Sequence, residues 1–177
     1  MEDFVYTSVH LKTLKKYAFF KLLFMLLGCL VLLLQSLTWL VVWVKDKPAT
    51  TTDMVFVAVT IVGSFMFIAT QFFFFNRNRN MINIIRQHGS LTIRRTKLRF
   101  SNKHSWAGGL VVFYRILTLV FIILLGIGVY SFIKNYVNWG KVILKMPFMI
   151  YCAVTALNRS SDLRFQVNIE KLAEGNN

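Results

Sequence analysis

Two uncharged stretches decide the fold: Leu22–Val44, LLFMLLGCLVLLLQSLTWLVVWV, and Met54–Phe75, MVFVAVTIVGSFMFIATQFFFF. They run 23 and 22 residues, and a membrane-spanning helix needs about 20. Lys12, Lys15, Lys16 and Lys21 precede the first, and Trp39 and Trp43 sit near its far end. Lysines on one boundary and tryptophans on the other predict a helix entering from the cytosolic side. The turn between the stretches, Lys45-Asp46-Lys47-Pro48 through Asp53, is short and nearly charge-balanced. The expected unit is a transmembrane hairpin.

Charge distribution extends this reading. From Met54 to Ser161 the chain contains no Asp or Glu, while eight Lys/Arg lie between Asn76 and Gly109. Positive loops between apolar spans mark the cytosolic face. Only 16% of residues are charged and 56% are apolar, against about a quarter charged in soluble domains. The net charge of +14 does not point to nucleic acid, because the cations alternate with spans and lack an aromatic stacking platform. A bilayer with anionic headgroups is the expected partner.

Leu110–Ile133 reads as a third span, with Arg115 near its cytosolic end able to snorkel its guanidinium to the headgroups. The segment 142–157 is a fourth candidate, interrupted by Lys145 and Pro147, so either a crossing or a re-entrant segment fits. The expectation is therefore an all-α integral membrane protein: one membrane domain over 1–177, three or four spans, a cytosolic N-terminus, a basic loop over 76–109 and a tail over 158–177. The N-terminus reads as an uncleaved signal anchor; a mitochondrial presequence is the weaker alternative, since His10–Val44 lacks acids and carries four lysines but no Arg or clear processing site. Endoplasmic reticulum or plasma membrane is expected ahead of the mitochondrial inner membrane.

Asn76–Gln87 can extend the second helix into the cytosol, with Gly89-Ser90 as its stop. Leu91-Thr92-Ile93 and Leu98-Arg99-Phe100 flank a basic run and fit a two-stranded ribbon or a helix with a ragged basic face. Asn102–Gly109 reads as loop. In the tail, Leu163, Phe165, Val167 and Ile169 alternate with polar residues, which predicts a half-buried strand able to join that ribbon.

Chemistry-bearing constellations are scarce. The acids are Glu2, Asp3, Asp46, Asp53, Asp162, Glu170 and Glu174, none within an expected span. His10, His88 and His104 are isolated, and Cys29 and Cys152 fall in apolar segments as small packing residues. No catalytic, cofactor-binding or metal-ligating set emerges, so an enzyme is not expected. Arg94, Arg95, Lys97 and Arg99 are candidates for contact with anionic lipid, although topology alone accounts for such a run. Gln35, Gly63, Ser64, Gly126 and Gly128 are candidates for helix–helix packing, through an interhelical amide bond and close backbone approach. Asn158-Arg159-Ser160 is a sequon, usable only on a lumenal face.

The Trp-flanked first span and the run Phe72–Ile85 (FFFFNRNRNMINII) resemble insect gustatory and odorant receptors. Those receptors carry seven spans, so the resemblance implies a truncated member acting as a ligand-gated channel subunit. The hairpin, the Arg77/Arg79/Arg86 run and Gly89–Ile93 are similar to small mitochondrial membrane-hairpin proteins that assist respiratory-complex assembly. The functional expectation is a membrane accessory, scaffold or assembly subunit, partnered by another membrane protein or a second copy, with the chemoreceptor reading as the alternative.

Overall fold

The computed structural model describes residues 2–44, 50–95, 104–134 and 139–174. Four long helices dominate: α1 (Leu11–Val44), α2 (Thr51–His88), α3 (His104–Lys134) and α4 (Trp139–Glu174). A short 3-10 turn, Ser8–His10, precedes α1, and two strands, β1 (Glu2–Thr7) and β2 (Ser90–Arg95), complete the described residues. Among the described residues, three helical segments are long and apolar enough to cross a membrane: Ser8–Val41, Thr51–His88 and Gly109–Tyr130. The fold is that of an all-α membrane protein bearing a small two-stranded sheet at one end.

α1 and α2 form the expected hairpin, each longer than its apolar stretch. The 34 and 38 residues rise roughly 50 Å, against a hydrocarbon core of about 30 Å. Both are therefore longer than the hydrocarbon core is thick. Thr50 caps α2: its hydroxyl accepts from the Asp53 N–H at 3.3 Å, and its own N–H donates to the Asp53 carboxylate at 3.2 Å. At the other end Gly89 adopts a left-handed φ of 76° and its N–H closes on the Ile85 carbonyl at 2.9 Å.

The hairpin seam follows a seven-residue repeat. Leu14, Lys21, Gly28 and Gln35 are buried on α1, interleaved with Tyr17, Phe24 and Val31. Val57, Ser64, Gln71, Asn78 and Ile85 answer them on α2, interleaved with Thr60, Phe67 and Met81. A strict seven-residue repeat keeps one stripe facing a neighbour, as in left-handed coiled coils. Unlike a soluble protein, the chain buries its few polar span residues, Lys21, Gln35, Thr60, Ser64 and Gln71, among apolar ones, while Leu26, Leu33, Phe65 and Met66 face outward. Among lipid tails apolar surface gains nothing by association, so close packing and polar contacts must hold the helices. Thr60 and Asn78 satisfy their side chains on their own helix, donating to the Phe56 and Phe74 carbonyls at 2.7 and 2.6 Å.

α4 departs most from expectation. The tail is not a strand; one 36-residue helix runs unbroken from Trp139 to Glu174 with Pro147 inside it. Alternation at 163–169 coincides with a helical stripe, Val154, Asn158, Asp162, Phe165 and Ile169, whose spacing of three or four residues presents one face to α1. No Gly or Pro follows Pro147 before Gly175, so nothing stops the helix. Docking α4 leaves Ile169 fully buried beside Tyr6, Leu14, Ile82 and Ile85. α3 likewise begins at His104, inside the stretch read as loop, and packs almost entirely against α4.

β2 is a strand, but its partner is β1. Leu98–Phe100, the expected partner, lies outside the described residues. The antiparallel register sets Tyr6 opposite Leu91, Glu2 opposite Arg95 and Asp3 opposite Arg94. A one-residue slip of this register would turn Tyr6 away from the core. The aromatic and β-branched run Phe4-Val5-Tyr6-Thr7 was the available signal for β1.

The close approach of α1 and α2 rests on Gly28, where an added Cβ would lie 2.8 Å from Ile68 Cγ1 and 3.1 Å from Phe67 Cδ1. At Gly126 a Cβ would meet nothing within 4 Å. Gly28→Leu should therefore lower unfolding stability in mild detergent by about 1–3 kcal/mol, whereas Gly126→Leu should cause no loss. Equal effects of the two substitutions would contradict the seam.

Candidate functional site: a buried ion pair between two helices

α1 and α4 meet around one lysine. Lys21 is 1% exposed, unlike its exposed neighbours Lys12, Lys15 and Lys16. Its place in the seven-residue stripe turns it inward, one turn before Phe24. There its ammonium group forms an ion pair with Asp162 and donates to the Asn158 Oδ1 at 2.8 Å. The nitrogen also lies 5.0 Å from the Tyr17 ring centroid and 5.4 Å from that of Phe74. Aromatic faces at such distances attract a cation. The Tyr17 hydroxyl donates to the same Asp162 oxygen at 2.9 Å, and its ring stacks on Phe165 at a centroid distance of 3.8 Å.

The spacing on α4 makes this possible. Asn158, Asp162 and Phe165 lie four and three residues apart, hence on one face. The sequon asparagine is therefore an interior ligand of the lysine, buried within a helix, and has no surface on which to carry a glycan. A second ion pair ties the far end of α4: Lys145 Nζ lies 4.0 Å from Asp53 Oδ1, beside the T-shaped pair Phe56–Phe148 at 5.0 Å. Seventeen residues separate Lys145 from Asp162, a rise of roughly 25 Å. α4 thus runs the length of the hairpin, anchored at both ends.

Two cavities flank the lysine. One, about 470 Å³, lies between α1, α2 and α4, and is lined by Gln71, Asn158, Asp162, Tyr151 and Arg159. The Oε1 of Gln71 there has no hydrogen-bond partner, nor do the Ser64 Oγ and Gln35 Oε1 deeper in the seam. The other, about 290 Å³, opens between α1, α3 and α4.

The sequence-derived candidates fall in separate places. Gln35 and Ser64 are buried in the hairpin seam, and Gly63 sits under Tyr151, where a Cβ would lie 2.6 Å from the hydroxyl. Gly126 faces outward, and Gly128 is half-buried on the α3 stripe toward α4. Arg94 and Arg95 occupy β2, while Lys97 and Arg99 lie outside the described residues. Gln35, Gly63, Ser64, Gly126 and Gly128 stand apart from the Lys21 contacts, although Gly63 lines the larger cavity with Asn158 and Asp162. Among the described residues no group of three His, Cys, Asp or Glu could hold a metal ion.

Sequence reasoning missed the cluster because Lys21 read as one of four flanking lysines and Asp162 as a tail acid. The usable signal was periodic: Lys21, Gly28 and Gln35 are each seven residues apart. No protein-family model, curated protein or solved structure matches this chain.

A buried pair losing one partner leaves an uncompensated charge. Lys21→Met should destabilise the chain by about 3–5 kcal/mol, and adding Asp162→Leu should restore at least half of that. Denaturation of the single and double variants, followed by circular dichroism, measures the coupling. Additive losses would remove the pair as the link between α1 and α4.

Proposed function

We propose that the chain is a non-enzymatic membrane accessory, scaffold or assembly subunit. It acts by packing a helix against another membrane protein or a second copy, and it presents a basic face to the cytosol. The observation that carries this reading is the isolation of α3. Only 6% of its most apolar window is buried within the chain, against 33% for α1 and 28% for α2. Its outward face, Leu119, Ile122, Ile123, Gly126 and Tyr130, is exposed, and open Gly126 would let a further helix approach closely.

In this reading α4 is a fourth crossing and both termini are cytosolic. Its support is the anchoring of α4 near Asp53 at one end and near Lys21 at the other. Exposed Lys12, Lys15, Lys16, Arg77, Arg79 and Arg86 gather at the Lys21 end, as a cytosolic face requires. The membrane is that of the endoplasmic reticulum or the cell surface, where this orientation rule operates.

Two measurements test the proposal. Extracted in native lipid particles, the chain should run in a discrete complex above its own 20.6 kDa, and Gly126→Trp should return it to the single-chain mass. A wild-type chain that is already single refutes the scaffold. Protease-accessible tags at the N-terminus and after residue 177 should both be cleaved from the cytosolic side, and tags on opposite sides would exclude the fourth crossing.

A further inference from the structure

We infer that the groove between α1, α3 and α4 binds a phospholipid with an anionic headgroup. Its lining changes character along its length. Lys16 on α1, Arg115 on α3 and Arg164 on α4 supply three exposed cations, joined by the hydroxyls of Thr13 and Ser161. Among the described residues no acidic side chain lines it; Asp162, on the same turn as Ser161, faces Lys21 and lines the larger cavity instead. Toward the bundle's middle the walls supplied by α1 and α4 are apolar, Phe20, Leu23, Phe24, Leu27 and Leu157, and Arg115 enters from α3 one turn below Val111, whose carbonyl meets Ser160.

From Thr13 to Leu27 the helix rises roughly 21 Å, enough to separate a charged head from the start of an acyl chain. Leu23 and Leu157 are exposed, so the apolar half is open sideways to lipid. A ligand that is anionic at one end and apolar at the other fits both halves. Guanidinium groups bind phosphate oxygens in paired hydrogen bonds, and basic pockets between membrane helices are suited to such headgroups. A choline headgroup would bring its own cation against three others. The larger cavity, with Asp162 among its walls, lacks this complementarity. The groove also lies where α3 and α1 barely touch directly, so a bound lipid would bridge them.

The test is retention of lipid by the full-length chain in native mass spectrometry from a neutral detergent. Phosphatidylglycerol should be retained at least about tenfold over phosphatidylcholine of the same chains. The combined Lys16→Gln, Arg115→Gln and Arg164→Gln variant should bring that preference to within about twofold. Arg79→Gln, an exposed cation outside the groove, should leave it unchanged. Glycerol phosphate at equal concentration should not displace the lipid. Equal retention of both lipids by the wild type overturns the inference without recourse to any variant. An undiminished preference in the triple variant also overturns it, and displacement by glycerol phosphate assigns the groove to a soluble phosphate instead.

Discussion

The docking of α4 depends on Lys21. Within lipid, an apolar helix gains little by leaving the acyl chains for another apolar helix. α4 is also the least apolar of the four helices, with Lys145, Arg159, Asp162 and Arg164 along it. What holds it is a set of polar contacts that would be unsatisfied elsewhere. Lys21 reaches Asp162 and Asn158 and rests against two aromatic rings, so a charge that is costly to bury finds partners on every side. The Tyr17 hydroxyl donates to the same carboxylate oxygen. Because α3 packs mainly on α4, that helix too is held in place indirectly by this contact.

Much of the architecture was legible in uncharged run lengths. The hairpin, the extension of α2 past Phe75 and its stop at Gly89 follow from apolar length, polar flanks and one left-handed glycine. The tail was misread because Leu163, Phe165, Val167 and Ile169 satisfy a strand period locally, while the contacts that make them helical lie on α1, some 150 residues earlier. Periodicity within a window cannot register a partner that distant. β1 was passed over for a similar reason: six residues say little until β2 is placed opposite.

The interior was harder to read than the spans. In a membrane helix almost every position is apolar, so hydrophobic periodicity loses its meaning and the informative residues are the exceptions. Lys21, Gly28 and Gln35 on α1, and Ser64, Gln71 and Asn78 on α2, mark the buried face by being polar or small. Read as isolated oddities, Gln35 and Gly63-Ser64 suggested local glue. Read as a seven-residue repeat, they describe a continuous seam, and they put Lys21 at its cytosol-facing end under the proposed orientation.

The most direct test of this account is proximity of Tyr17 and Phe165 in a bilayer. With Cys29 and Cys152 replaced by alanine, a Tyr17→Cys/Phe165→Cys chain treated with a short bifunctional thiol reagent should cross-link efficiently within one chain. A Tyr17→Cys/Phe148→Cys chain should not, since Phe148 lies beside Phe56 at the other end of the bundle. Absence of the first cross-link, or appearance of the second, would contradict the docking of α4 along the hairpin.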